Sequence, residues 1–267
     1  MPLRVFVAGG TGWAGAALCK GIIAHEGMVL TGALSRTHAG KNLADVLQLH
    51  GGSYPVFADL DTAIARTEFD VFVEYTRPDA AKRNILTALK NGKHVVIGTS
   101  GLTGQDFDEI HAAALQQNCS VLAAGNFALT AVLLQKFAEM AARYIPDYEI
   151  IDYAHEGKVD APSGTARELA YRLSNVQESR IDVPEKDLVG PKESRGARLK
   201  GVQVHSVRLP GYVISVESIF GMKDERLVIR HEAGAGADPY VKGALLAIEK
   251  AGTFKGLRRG LDSIMEF

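Results

Sequence analysis

The sequence predicts an α/β protein: a doubly wound parallel sheet in the N-terminal part, then a mixed α/β region whose sheet is largely an antiparallel meander. Three observations predict this. Up to about residue 126, short apolar runs alternate with helix-like runs, the pattern of parallel strands covered on both faces. Glycines crowd the point where the first strand gives way to the first helix. Past residue 200, apolar and polar residues alternate between turn residues, as in strands with one exposed face.

Each element has its own signal. "RVFVAG" (4–9) is a β-rich run ending in glycine. "GWAGAALCKGIIAHEG" (12–27) spaces its apolar residues near the helical period, and "MVLTGALS" (28–35) returns to strand, which makes a β-α-β unit. "FDVFVEYT" (69–76), "DAAKRNILTALKNG" (79–92), "KHVVIGT" (93–99), "GQDFDEIHAAALQQN" (104–118) and "CSVLAAGN" (119–126) continue the alternation. "LTAVLLQKFAEMAARYI" (129–145) is a long amphipathic helix, "YEIIDYAH" (148–155) a strand and "SGTARELAYRLSNV" (163–176) a helix. Residues 177–200 are polar and read as a long loop. "GVQVHSVRL" (201–209), "GYVISVESIF" (211–220) and "ERLVIRHEA" (225–233) form the meander. "DPYVKGALLAIEKA" (238–251) is a helix, with Asp238 as its cap and Pro239 at its first position. "KGLRRG" (255–260) reads as a helix-end surface.

Composition narrows the function classes. The 267 residues are 46% apolar and 23% charged, with a formal net charge of −1, so no global basic field points to nucleic acid or an anionic membrane. No apolar run is long enough to span a bilayer, and "MPLRVFVAGG" enters a strand at once, leaving no room for a signal peptide. Cys19 and Cys119 stand in no metal or redox spacing and suit a reducing cytoplasm. His25, His38, His50, His94, His111, His205 and His231 form no metal-ligand spacing and read as structural or solvated, so no metal is expected.

The glycine cluster carries the first functional signal. "VAGGTGWAG" (7–15) holds Gly10-x-Gly12-x-x-Gly15 and Gly9-x-x-Gly12-x-x-Gly15, with Thr11, Trp13 and Ala14 between them. Such a pattern alone is weak, and a ligand-free turn is the plain alternative. Its place after the first strand and at the start of a helix makes it strong. Glycine allows a tight turn and close approach of a pyrophosphate, and the helix start offers free N–H groups to that anion. Residues 1–126 therefore read as a Rossmann-like dinucleotide-binding domain. Residues 127–237 read as a second, substrate-binding domain, and 238–267 return to the first.

The end of the second strand selects the dinucleotide. A carboxylate there accepts from the ribose of NAD. Here the residues are Ser35, Arg36 and Thr37, which suit a 2′-phosphate, so NADPH is preferred with NADH possible. Three further strand ends, "EYTRPD" (74–79), "GTSG" (98–101) and "AAGNFA" (123–128), lie where open sheets bind ligands. Thr76, Arg77, Gly98, Thr99 and Ser100 supply donors near cofactor and substrate. Tyr75 and Phe127 flank the nicotinamide, with Ala124 and Asn126 beside them. Each residue alone is also ordinary loop chemistry, since Thr-Arg-Pro-Asp starts helices well.

"YAHEGKVDAPSGTA" (153–166) carries the second signal. Ser163 caps the helix, Gly164 permits close approach, and the next N–H groups lack helical partners. With Lys158 just upstream, the stretch reads as a carboxylate site for an acid substrate. A capped helix beside a surface lysine is the plain alternative.

The stretch "YEIIDYAHEGKVDAPSGTA" resembles the signature region of the dihydrodipicolinate reductase family. "VAGGTGWAG", "DVFVEYTRPDAAKRN", "GKHVVIGTSGLT" and "AAGNFA" extend the resemblance over nearly the whole chain. It implies an N-terminal Rossmann-like domain and a C-terminal mixed α/β domain whose sheets build a homotetramer. It also implies reduction of a cyclic unsaturated imine dicarboxylate, formed as hydroxy-tetrahydrodipicolinate loses water, to tetrahydrodipicolinate. NADH or NADPH gives the hydride. Lys158 donates a proton or binds the substrate, and Ser163, Gly164 and Thr165 hold a carboxylate. The chain departs from the family at the catalytic histidine, which falls on Ala154, and at a glutamate, which falls on Asp152. His155 matches a second, substrate-contacting histidine, but neighbours on a strand face opposite ways, so taking over the missing role requires a bulge or loop there. Trp13 and Ala14 replace the family's basic residue and Met, and Ala128 a common serine. Three readings stay open: this reductase, with Lys158 and His155 covering the missing acid; an NADPH-dependent reductase of another imine or enamine acid; and a non-catalytic dinucleotide-binding sensor.

Overall fold

The computed structural model describes residues 1–267. The chain divides into two compact units, Met1–Leu129 with Ala237–Phe267, and Thr130–Gly236. In the first, strand β1 (Leu3–Ala8) passes through the glycine turn into helix α1 (Trp13–Ile23) and returns as β2 (Met28–Leu34). A short excursion follows: α2 (Leu43–Val46), β3 (Val56–Phe57) and α3 (Leu60–Arg66). These elements are too short for periodicity to register them. The alternation then resumes with β4 (Val71–Glu74), α4 (Pro78–Lys90), β5 (His94–Ile97), α5 (Gly104–Gln116) and β6 (Ser120–Ala123). Thr103 and Asp106 cap α5 reciprocally.

The second unit runs from α6 (Leu129–Ala142) through β7 (Tyr148–Ala154), α7 (Gly164–Ser174), β8 (Ala197–Leu199), β9 (Val202–Arg208) and β10 (Ile214–Met222) to β11 (Glu225–Ala233). The sheet order is β11-β10-β7-β9-β8. It is mixed and largely antiparallel, with one departure from a simple meander. Strands β9 and β10 do not pair with each other, because β7 lies between them, parallel to β9 and antiparallel to β10. The predicted loop 177–200 ends in the short edge strand β8. Along β7, Tyr148, Ile150, Asp152 and Ala154 are buried while the residues between them are half-buried. Tyr148 and Ile150 pack with Leu134 and Ala138 of α6 and Leu169 and Leu173 of α7 into one core.

Helix α8 (Asp238–Glu249) and strand β12 (Gly256–Arg259) complete the first unit. The expected cap at Asp238 is corrected: Ala237 is the cap, and Asp238 is the first helical residue. The expected helix-end surface at 255–260 is also corrected, since Gly256–Arg259 pairs in parallel with β6. The basic residues that suggested a surface are an edge strand's charges. Arg258 and Arg259 cover the rings of Phe254 and Phe107.

The first sheet has the order β12-β6-β5-β4-β1-β2-β3, every pair parallel. Its order reverses at β1 and β4, so loops leaving these strands diverge and open a crevice at their carboxyl ends. Phe6, Phe69 and Phe72 fill the core beneath, with the Phe6 and Phe69 centroids 5.0 Å apart. No helix is long and apolar enough to cross a membrane.

Candidate active site

The glycine turn is built by contacts that only glycine permits. Gly9 has φ +79°, and a Cβ on Gly15 would lie 2.1 Å from the Gly9 carbonyl oxygen. The Gly12 N–H donates to Gly9 O at 2.9 Å, which closes the turn, with Gly10 buried beneath it. The N–H groups of Trp13 and Ala14 open α1 and meet no acceptor in the chain. A turn this tight beneath unpaired helix N–H groups fits a dinucleotide pyrophosphate. Gly15→Ala is expected to weaken dinucleotide binding by about five- to 100-fold, since overpacking costs roughly 1–3 kcal/mol and each 1.4 kcal/mol is tenfold. Fluorescence titration of the folded variant checks it.

At the end of β2, Thr11 Oγ1 donates to Ser35 Oγ at 2.9 Å, and Ser35 Oγ lies 3.3 Å from Thr37 Oγ1. Arg36 is exposed beside them.

The other predicted strand ends converge on one cleft of 360 Å³. Trp13, Ala14, Tyr75, Thr76, Arg77, Gly98, Thr99, Ser100, Ala124, Asn126 and Phe127 line it. The Tyr75 and Phe127 rings stand 5.9 Å apart, and the Tyr75 ring lies so close to Gly98 that a Cβ there would approach it to 2.2 Å. Burial pushes the Tyr75 phenol well above its usual range, so it stays neutral. Asn126 Oδ1 accepts from the Ala128 N–H at 2.8 Å and fixes the bend before Phe127.

Sequence reasoning missed two contributors. Tyr240, at the start of α8, meets Trp13 edge-on at 5.7 Å and lines the cleft. Its signal was diluted within a well-formed helical pattern. Glu74 is fully buried at the end of β4. It accepts from the Thr76 N–H at 2.7 Å, from the Thr76 hydroxyl and from Asn84 Nδ2 at 2.9 Å, while Thr99 Oγ1 donates to its carbonyl at 3.1 Å. Desolvation raises its pKa despite these donors. Glu74 thus ties the loops after β4 and β5 together. An acid inside an apolar strand was the available cue.

In the second unit, Asp152 is fully buried on β7 and organises the start of α7. Its Oδ2 accepts from the Ser163 N–H at 2.8 Å and its Oδ1 from the Ser163 hydroxyl at 2.6 Å. Ser163 Oγ in turn accepts from the Ala166 N–H at 3.3 Å, the predicted cap. Both Ser163 donors are therefore directed inward. The N–H groups of Gly164 and Thr165 have no acceptor in the chain, with Gly164 exposed and Thr165 half-buried. Arg208 Nη2 joins Asp152 Oδ2 at 2.7 Å and the Asp160 carbonyl at 2.6 Å. Lys158 Nζ pairs with Asp160 Oδ1 at 2.7 Å, a contact that lowers the Asp160 pKa and keeps that carboxylate charged. Strand β7 stops at Ala154, which is fully buried. His155 already lies in the following turn, exposed, with its carbonyl accepting from the Lys158 N–H at 3.2 Å. Strand alternation therefore no longer dictates where its ring points.

The family models for dihydrodipicolinate reductase match both parts of the chain, the N-terminus over residues 3–127 and the C-terminus over 130–265. The chain belongs to the dihydrodipicolinate reductase family. It is 35% identical over 266 residues to the 4-hydroxy-tetrahydrodipicolinate reductase of Bacillus pumilus (strain SAFR-032), covering 99% of this chain and 98% of the relative. It is 36% identical over 266 residues to the enzyme of that name from Moorella thermoacetica, with the same coverage. The dipicolinate-bound dihydrodipicolinate reductase from Paenisporosarcina sp. TG-14 superposes with a TM-score of 0.90 at 31% identity, covering 99% of this chain and 100% of that one. An amine dehydrogenase from Mycobacterium smegmatis, at 14% identity and a TM-score of 0.66 (97% and 95% covered), shares the fold alone. With the family comes the reaction class: the chain is an oxidoreductase that uses a nicotinamide dinucleotide.

Proposed function

We propose that this chain reduces the cyclic unsaturated imine dicarboxylate derived from 4-hydroxy-tetrahydrodipicolinate to tetrahydrodipicolinate, a step of lysine and diaminopimelate biosynthesis, with NADPH preferred and NADH accepted. The observation that carries the substrate assignment is the open start of α7. Two unpaired N–H groups, at Gly164 and Thr165, stand on the same segment as the Lys158 ammonium. A helix N-terminus with a nearby cation is built for a carboxylate.

In this reading Gly164 and Thr165 bind one substrate carboxylate, and Ser163, held by Asp152, fixes their orientation. The reduced nicotinamide supplies hydride when bound. Lys158 supplies the proton or pairs with the growing negative charge, and Asp160, 2.7 Å from its Nζ, holds the side chain in place. His155, at the turn, contacts substrate, and Ser100 lines the cleft of the first unit. Trp13, Tyr75 and Phe127 wall the nicotinamide, and Arg36 with Ser35 and Thr37 takes the 2′-phosphate.

The protein is cytoplasmic and a homotetramer in the same reading. The sheet face opposite α6 and α7 supports the assembly, for it carries half-buried Ile151 and Ile219 and exposed Val228, 47% accessible. Light scattering measures the assembly.

A second reading, reduction of another cyclic imine or enamine acid, is favoured by Ala154, which has nothing to ionise where the family keeps its acid. A coupled assay separates the two. Dihydrodipicolinate synthase generates the substrate from pyruvate and aspartate semialdehyde, and NADPH or NADH oxidation is followed. Sustained turnover supports the first reading. NADPH binding with negligible turnover sinks it in favour of the second.

A further inference from the structure

His38 reads from sequence as a solvated histidine, and the structure gives it neighbours that change this. Its Nδ1 lies 3.0 Å from Thr37 Oγ1 and 3.4 Å from Ser35 Oγ. Through Ser35 it connects to Thr11 Oγ1, 2.9 Å further on, in the glycine turn itself. Side chains from two segments, the pyrophosphate turn and the end of β2, therefore meet in one polar cluster. Its Nε2 has no partner in the chain, so one ring nitrogen anchors while the other remains free to donate. No Asp or Glu occurs from residue 35 through 44, so no carboxylate in this segment accepts from a ribose hydroxyl or repels a phosphate. Arg36 and Lys41, both exposed, are its charged residues.

We propose that His38 is a specificity-determining residue: its ring donates to the ribose 2′-phosphate of NADPH alongside Arg36 and orients the Ser35 and Thr37 hydroxyls toward the same group. This inference rests on the dinucleotide reading of the glycine turn. Each oxygen of a phosphate takes several donors, and charge-assisted hydrogen bonds are roughly twice as strong as neutral ones. NADH offers a hydroxyl there and gains little from the cluster.

The test is direct binding by fluorescence, with NADPH and NADH measured separately on the intact protein and on His38→Ala, His38→Gln and Arg36→Ala. For His38→Ala the NADPH dissociation constant is expected to rise about tenfold while that for NADH changes less than about twofold. His38→Gln, which keeps an N–H donor but not the ring, should fall between the wild type and His38→Ala. A preference that collapses in Arg36→Ala but survives both His38 variants overturns the role of His38 and leaves the dinucleotide reading standing. Equal wild-type affinity for the two nucleotides also overturns it. Failure of the wild type to bind either one overturns the dinucleotide reading itself.

Discussion

Lys158→Ala is expected to lower kcat/KM in the coupled assay by about 10²–10⁴-fold, the range that general acid catalysis contributes. The expectation follows from how few groups can take part. Ala154 is buried and carries no proton, and Asp152 is committed to Ser163 and Arg208. Lys158 is the ammonium on the segment that leads into the open start of α7. Lys158→Arg divides the two roles it can play. Arginine keeps the charge and is effectively never deprotonated, so it restores carboxylate pairing without proton delivery. A KM near the wild-type value with kcat still depressed identifies Lys158 as the donor. Recovery of both identifies an electrostatic anchor. Wild-type rates in Lys158→Ala would remove the residue from the reaction altogether.

Asp152→Ala is expected to destabilise the folded protein by about 3–5 kcal/mol, the range for breaking a buried ion pair from one side. The loss leaves the Arg208 guanidinium, 15% exposed, without its carboxylate, and strips the Ser163 N–H and hydroxyl of their acceptors. Chemical denaturation with an unchanged m-value measures it. Asp152→Asn retains an acceptor for Ser163 and should lose less than Asp152→Ala. A change below about 1 kcal/mol in Asp152→Ala, the level of a surface pair, would mean that solvent reaches Arg208 freely.

Much of the first unit is legible in the sequence because its signals are local. The glycines, the helix start they serve and the strand ends at Thr76, Gly98 and Phe127 all lie within a few residues of the elements that place them. The strand-end residues line one cleft, as their positions predict for a sheet of this order. Legibility fails where partners are distant in the chain. Arg208 lies 56 residues from Asp152 and Tyr240 far from Trp13, and no local period announces either contact. The placement of β7 between β9 and β10 is equally invisible, because alternation marks a strand but not its neighbours. Strand β12 fails for another reason: four residues with two arginines carry more surface character than strand character. His38 is an intermediate case, adjacent to the residues that matter yet indistinguishable, by type alone, from seven others.

Strand β12 has a bearing on synthesis. The first unit is split, and its final strand follows the whole of Thr130–Gly236. Until Gly256–Arg259 leaves the ribosome, β6 has an unpaired edge, and Ser120 Oγ lacks the Gly252 N–H that donates to it at 2.8 Å. The interposed unit owes none of its strands to residues outside itself, so it can finish its sheet first. A chain that has emerged as far as residue 250 would therefore present a finished second unit tethered to a first unit whose β6 edge is still unpaired. That edge is the surface a chaperone would have to guard.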